Sequence, residues 1–197
     1  MNQETIEYYN KNATVFATET MHVDFERMQR KFAEKVCPGA HILDFGCGSG
    51  RDTKWFLSNG FSVVAIDGSI ELCKIASTYT GINVRHMYFQ DLEELEVYDG
   101  IWACSSILHL TMEDLYVVMG KMAEALKTNG IIYTSFKYGD FEGYRNGRYF
   151  TNMDEDRIQK IIYKHPMLAI EEMWITSDVR PGRGEEKWLN LILRKTK

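Results

Sequence analysis

The sequence predicts an α/β fold with a doubly wound, mostly parallel sheet and helices on both faces. Three observations carry that prediction. First, an apolar run from His41 to Phe45 stops at glycines on alternate positions, Gly46, Gly48 and Gly50, and an amphipathic segment containing Trp55, Phe56 and Leu57 follows. Strand, glycine turn and helix form the opening of a nucleotide-binding βαβ unit. Second, another apolar run, Val63-Val64-Ala65-Ile66, ends in an acid, Asp67, about 20 residues beyond the turn, where a ribose-binding acid is expected. Third, short apolar runs and helical patterns alternate up to residue 136, as they do when helices join parallel strands.

Residues 3–18 read as a helix because Ile6, Tyr9, Ala13 and Phe16 recur at spacings of three or four. A second helix, 25–36, follows Asp24 as N-cap and ends at Pro38-Gly39. Strand one covers 40–45. The next helix ends at Asn59-Gly60, a C-terminal glycine signal, before strand two at 62–66. Gly68-Ser69 caps a helix over 70–79, strand three covers 83–87, and strand four covers 100–104 after Tyr98-Asp99. Thr111 caps a helix over 112–127, and Asn129-Gly130 turns into strand five, 131–136. Residues 137–149 read as a long loop rich in glycine, aromatics and arginine, and a loop of that length in a compact domain is usually functional. Thr151-Asn152-Met153-Asp154 opens a helix over 154–164. Strands at 168–176 and 187–194 lie too close in sequence for a helical crossover, so they pair as a hairpin.

Size and composition set bounds on function. The 197 residues suffice for one domain, 1–197, with a full core. A net charge of −5 argues against a strong nucleic-acid footprint. No apolar run is long enough to span a bilayer, and the polar, acidic start Met1-Asn2-Gln3-Glu4 is not that of a signal peptide, so a cytoplasmic location is expected. Cys37, Cys47, Cys73 and Cys104 are scattered, which fits reduced thiols, mostly buried, and the histidines lack metal-ligand spacing, so no metal is expected.

The glycine turn departs from the dinucleotide fingerprint. G-x-G-x-x-G would place the third glycine where Arg51 stands, and here it falls at Gly50 instead. Asp44 precedes the first glycine by two residues, where a carboxylate would repel a pyrophosphate and suit an ammonium group. A ligand with a ribose and a cationic amino-acid end, and no phosphate, is S-adenosylmethionine. The ordered motifs are Leu43-Asp44-Phe45-Gly46-Cys47-Gly48-Ser49-Gly50, Ala65-Ile66-Asp67-Gly68-Ser69, Phe89-Gln90-Asp91-Leu92, Tyr98-Asp99-Gly100-Ile101-Trp102, Ile107-Leu108-His109-Leu110 and Leu126-Lys127-Thr128-Asn129-Gly130. On these the chain resembles the class I S-adenosylmethionine-dependent methyltransferases over residues 40–140, and is similar in size and motif order to small tellurite- and thiol-type members.

The resemblance implies a Rossmann-like seven-stranded sheet with an antiparallel final strand, and S-adenosylhomocysteine as a product. It implies that the glycine-turn backbone (Gly46, Gly48) and Asp44 hold the methionine end, with Arg51 near its carboxylate. Asp67, with Gly68 and Ser69, takes the ribose, and Gln90, Asp91 and Leu92 hold the adenine. It further implies a leader, 1–38, that closes over the cofactor through Tyr9, with the null alternative that Tyr9 and Phe16 staple the leader to the domain.

Residues 105–110 lie at the carboxyl end of strand four, so Ser105 and His109 face the cofactor and the acceptor. His109 is a candidate general base or a packing residue. Tyr144 and Arg148 join it as catalytic candidates on the 137–186 segment, which supplies acceptor-side loops and the terminal hairpin. Arg145, Arg148, Arg180 and Arg183 suit an anionic acceptor, or else an ion-pair network with Asp178, Glu185 and Glu186. The expected partner is a small-molecule substrate, with the protein a monomer or homodimer. Two alternatives are an RNA acceptor, since Gly147-Arg148-Tyr149-Phe150 is similar to a motif of wobble-uridine tRNA methyltransferases, and a non-catalytic cofactor-binding subunit or sensor.

Overall fold

The structure is a computed structural model that describes residues 3–180 and 182–196. Met1, Asn2, Pro181 and Lys197 lie outside the described residues. Two leader helices, α1 (Gln3–Thr20) and α2 (Glu26–Ala33), precede β1 (His41–Phe45), α3 (Arg51–Ser58), β2 (Ser62–Asp67), α4 (Ile70–Thr80) and a two-residue β3 (Arg85–His86). Then follow β4 (Tyr98–Ala103), α5 (Met112–Ala125), β5 (Leu126–Lys137), β6 (Glu142–Arg145), β7 (Arg148–Thr151), α6 (Glu155–Tyr163), β8 (Leu168–Ser177) and β9 (Lys187–Lys195).

Seven strands form one sheet in the order β3-β2-β1-β4-β5-β9-β8. β1 pairs in parallel with both β2 and β4, and β9 alone runs antiparallel, inserted between β5 and β8. This is the Rossmann-like seven-stranded sheet with one antiparallel strand that the resemblance implies. Strand order reverses between β1 and β4, and the crevice above their carboxyl ends is where such sheets bind ligands. The turn after β1 and the segment after β4 therefore meet at one place.

Strand alternation distributes the core over both faces. Leu43, Ile101 and Ile132 point to the face covered by α5 and α6, where Leu115, Val118, Met122, Ile158 and Ile161 are buried. Ile42, Trp102 and Tyr133 point the other way, against Phe32 of α2 and Phe56 of α3. Trp102 stacks on Tyr133 at 4.1 Å between centroids and meets Phe32 and Phe56 edge-on. Burying one such side chain contributes roughly 1.5–3 kcal/mol, so this aromatic stack locks the leader helix α2 to the sheet.

Several boundaries differ from expectation for physical reasons. Strand three shrinks to two residues because it is the sheet edge, paired only at Ile66↔Arg85 and Asp67↔His86. The fifth helix stops at Ala125, and β5 starts at Leu126 because Leu126 already pairs with Tyr98. The α2 cap falls on Phe25, while Asp24 Oδ1 still accepts from Glu26 N at 3.0 Å. Residues 137–149 are not a loop throughout: β6 and β7 pair as an antiparallel ribbon, Arg145↔Arg148 closing on Asn146-Gly147. Both turn residues have positive φ, 50° and 73°, as a type I′ hairpin turn needs. No helix of the described residues is long and apolar enough to cross a membrane. The four cysteines are free; Cys47 and Cys73 are buried, while Cys104 is half-buried and Cys37 is exposed.

Candidate active site

The glycine turn is shaped by contacts that forbid side chains. Gly46 has φ 89°, and a Cβ there would stand 2.5 Å from Ser106 Cβ. Its amide and that of Cys47 both donate to the Ile66 carbonyl, at 3.0 and 2.9 Å, which closes the turn onto β2. The Gly48 amide donates to Asp67 Oδ2 at 2.9 Å, and the Ser69 amide donates to Asp67 Oδ1 at 2.8 Å. Asp67 is thus oriented by backbone at the end of β2. Burial raises its pKa, and the two amide donors oppose that rise. Ser69 also caps α4, accepting from Leu72 N, and its hydroxyl donates to Asn10 Oδ1 of the leader at 2.7 Å. Gly68 is buried, and its carbonyl accepts from His86 Nε2 at 3.0 Å.

A cavity opens over this turn, with about 200 Å³ for the centres of water-sized solutes. Its walls come from α1 (Tyr9, Phe16), the glycine turn, the segment after β4 (Ser105, His109) and the ribbon (Arg148). Ser105 is held at φ 52°, a left-handed conformation uncommon for a side-chain-bearing residue. Its amide donates to Ser135 Oγ at 2.9 Å.

His109 is the hub of the acceptor side. It is 5% exposed. Its Nδ1 lies 2.6 Å from the Tyr149 carbonyl and its Nε2 lies 2.8 Å from the Tyr9 hydroxyl. A carbonyl only accepts, so Nδ1 carries the proton and Nε2 accepts from the Tyr9 O–H. Burial pushes the His109 pKa down to about 4, with the Arg148 charge adding to the effect, so the ring is neutral at pH 7. Burial raises the Tyr9 phenol above its ordinary value, and the Arg148 guanidinium opposes that. Arg148 spreads over the rings of Tyr8, Tyr9 and Phe150, at 4.5, 5.8 and 5.1 Å.

Of the residues expected at the site, Tyr9, Gly46, Gly48, Arg51, Ser105, His109 and Arg148 line the cavity. Others are placed elsewhere. Asp44 lies behind the turn, 2% exposed, and accepts from Thr53 Oγ1 at 2.5 Å. Its bond to Thr53 places it in α3's support, and it is not among the residues that line the cavity; burial and the neighbouring Asp52 charge raise its pKa to about 8. Arg51 reaches the wall, but both arms of its fork donate to Asp52 at 2.8 Å and its guanidinium lies over Phe25. Tyr144 is 49% exposed on the ribbon, edge-on to Tyr149; strand alternation turns it away from the cavity, which corrects its place among the catalytic candidates. Gln90 and Asp91 lie in a 3-10 turn, Phe89–Asp91, outside the cavity wall, with Asp91 exposed and Leu92 in the core. Arg180 pairs with Asp178, and Arg183 with Glu186, so the ion-pair alternative holds for these two arginines.

Asp52, Cys104, Lys137, Trp188 and Asn190 also line the cavity and were not singled out from the sequence. Asp52 is the most constrained of them. It accepts from Gln29 Nε2 at 2.7 Å and Trp102 Nε1 at 2.8 Å besides Arg51, and Arg51 and these donors hold its pKa low against burial. A second acid in the first turn of the helix after a glycine turn is a signal that was available, since such a helix start offers unpaired amides to carboxylates.

The site fits the cofactor its motifs imply. A Cβ on Gly46, Gly48 or Gly50 would meet Ser106, Phe16 or Thr80, so the turn packs tightly without side chains, and Gly46 and Gly48 line the cavity, where a ligand can lie against the main chain. Gln90 Oε1 is buried with no partner among the described residues, and Gln90 is not part of the cavity wall. No group of three or more metal-ligand side chains occurs among the described residues.

The fold and the glycine-turn site are similar to those of class I S-adenosylmethionine-dependent methyltransferases. Residues 42–130 match the family model described as "Methyltransferase domain", so the chain carries that domain, and its cofactor is S-adenosylmethionine. Among curated proteins, an arsenite methyltransferase of Aquipseudomonas alcaligenes is 27% identical over 124 residues, covering 55% of this chain and 36% of that protein. An O-methyltransferase of Pyrenophora dematioidea is 28% identical over 121 residues, covering 56% and 45%. The chain thus spans less than half the length of these curated relatives. Among solved structures, the 1,6-didemethyltoxoflavin-N1-methyltransferase of Burkholderia thailandensis, with bound 1,6-didemethyltoxoflavin and S-adenosylhomocysteine, superposes with a TM-score of 0.77 at 20% identity, covering 98% of this chain and 85% of that one. At that identity the likeness speaks to the fold.

Proposed function

We propose that this protein transfers a methyl group by in-line displacement to a small-molecule acceptor. The carrying observation is that one cavity joins the glycine turn to the Tyr9–His109 pair. Bound S-adenosylmethionine supplies a methyl group already activated by the sulfonium charge, so the protein's work is alignment and exclusion of water. Gly46 and Gly48 give the backbone surface for the methionine end, Asp67 accepts from the ribose hydroxyls, and the 90–92 segment borders the adenine. The leader, residues 1–38, closes the cofactor side through Tyr9 and Phe16, and the chain acts as one methyltransferase domain.

His109 works through Tyr9. An acceptor carrying N–H, O–H or S–H passes its proton to the Tyr9 oxygen, and Tyr9 passes its own to His109 Nε2. The Nδ1–H bond to the Tyr149 carbonyl keeps that ring tautomer in place. An RNA acceptor is less well supported, because Arg148 of the Gly147-Arg148-Tyr149-Phe150 stretch is half-buried against Tyr8 and not presented on the surface. The test is methyl transfer from radiolabelled S-adenosylmethionine into a cell extract split into small-molecule, RNA and protein fractions. Label in the small-molecule fraction supports the proposal. Label confined to RNA or protein overturns the acceptor class, and cofactor binding without any transfer favours a sensor.

A further inference from the structure

The charges around the cavity are sorted against the charge of the chain. The protein carries a net charge of −5, yet the cavity is lined by six cations (Arg51, Lys137, Arg145, Arg148, Arg180, Arg183) and two acids, Asp52 and Asp178. Most of the cations are already matched. Asp52 takes Arg51, Asp178 takes Arg180, and Glu186, just behind the wall, takes both Lys137 and Arg183. Arg145 is exposed and lies over Phe141. Arg148 differs from all of these. It is half-buried, faces three aromatic rings, bears on the Tyr9 oxygen, stands in no ion pair among the described residues, and its Nε is buried without an acceptor.

A guanidinium held flat by rings keeps its orientation, and its fork matches a planar carboxylate. Glu186 is one charge shared by two cations, so the wall keeps a positive excess that an added negative charge offsets, and Arg148 is the half-buried cation of that wall that stands in no ion pair among the described residues. Phe150, whose ring lies 5.1 Å from the Arg148 guanidinium, also lines the cavity, which suits a flat hydrocarbon body beside the charge. Resting on the reading of this cavity as the acceptor site, we propose that the acceptor is a small monocarboxylate with a flat apolar body, its carboxylate bound by Arg148 and by none of the paired arginines.

Isothermal titration of the full chain tests this in two steps. S-adenosylhomocysteine is titrated first; failure to bind removes the cofactor reading itself, independently of the acceptor. Benzoate is then titrated into the loaded protein, with benzamide as its neutral counterpart. The expected result is that benzoate binds at least tenfold more tightly than benzamide. Arg148→Met removes that preference, Arg148→Lys keeps part of it, and Arg183→Gln changes benzoate affinity less than threefold. S-adenosylhomocysteine binding and the melting temperature of each variant report whether it is folded, and Arg148→Lys carries the test if Arg148→Met is not. Equal binding of the two probes, no benzoate binding to a loaded protein, or an unchanged benzoate affinity in a folded Arg148 variant overturns the proposal.

Discussion

The Tyr9 hydroxyl donates to His109 Nε2 across 2.8 Å, joining the leader helix to the segment after β4. The far side of the ring is committed to the Tyr149 carbonyl at 2.6 Å, so in the proposed relay a proton reaches His109 through Tyr9. A general base that acts through a second group leaves a kinetic signature. Tyr9→Phe and His109→Asn should each lower kcat by about 10²–10⁴-fold, and the double variant should be no worse than the poorer single one. Additive losses, with cofactor affinity unchanged, would rule the relay out.

His109 also makes stability depend on pH. Its folded pKa, about 4, lies below the ordinary value of 6.5, so between these values the unfolded chain binds more protons. Its contribution is full above pH 6.5 and is lost as pH falls towards 4, amounting to about 3 kcal/mol. Urea unfolding of the protein and of His109→Asn at pH 7 and pH 4.5 isolates it. The gap between the two should narrow at the lower pH, and a gap that stays constant contradicts the burial argument.

Asp44 works in the opposite direction. Its folded pKa is raised to about 8 from 3.8, so the folded protein holds the extra proton in that interval and stability falls as pH rises through it. Asp44→Asn removes this liability while keeping an acceptor for Thr53. Relative to the parent, the variant should gain stability from pH 5 to pH 8.5 by melting temperature. A loss of relative stability at pH 8.5 would mean that the ionised carboxylate is well accommodated.

Asp67 is expected to matter more for ligand than for fold. Asp67→Ala should weaken S-adenosylhomocysteine about 10–100-fold by calorimetry, the range of one or two charge-assisted hydrogen bonds. Equal affinity would remove its ribose role.

Gly46 and Gly60 provide a matched pair. Both have φ near 85°, at 89° and 84°, but a Cβ on Gly46 meets Ser106 at 2.5 Å while one on Gly60 meets nothing within 4 Å. Alanine at either position costs about 1 kcal/mol for the backbone, and overpacking at Gly46 adds about 1–3 kcal/mol. Equal melting temperatures for the two variants would show that the turn relaxes.

Much of the architecture was legible in the sequence because the signals were local. Strand–glycine–helix, Asn59-Gly60 and Ser69 each act within a few residues, and all three fall where expected. The ribbon was legible too, since Asn146-Gly147 is a strong two-residue hairpin signal, but the glycine and arginine content of 137–149 read as loop. The site was legible only in part. Periodicity cannot reveal that Asp44 would turn under α3 to Thr53, or that Arg180 and Arg183 would find carboxylates across a turn. Tyr144 was expected in a loop; it lies on β6 opposite Tyr149, and its face is a one-residue question that pairing register alone decides.

The bonds that seat the leader link it to residues far ahead in the chain. Asn10 meets Ser69, Tyr9 meets His109, and the Thr5 hydroxyl accepts from the Tyr149 amide, a separation of 144 residues. During synthesis the leader is therefore made long before its last partner leaves the ribosome. The leader is seated only after the sheet, the α5 crossover and the ribbon exist, and such non-local closure is slow. A nascent or truncated chain ending before residue 149 would carry the complete glycine turn and Asp67 while the Thr5 hydroxyl and His109 Nδ1 still lacked their Tyr149 partners.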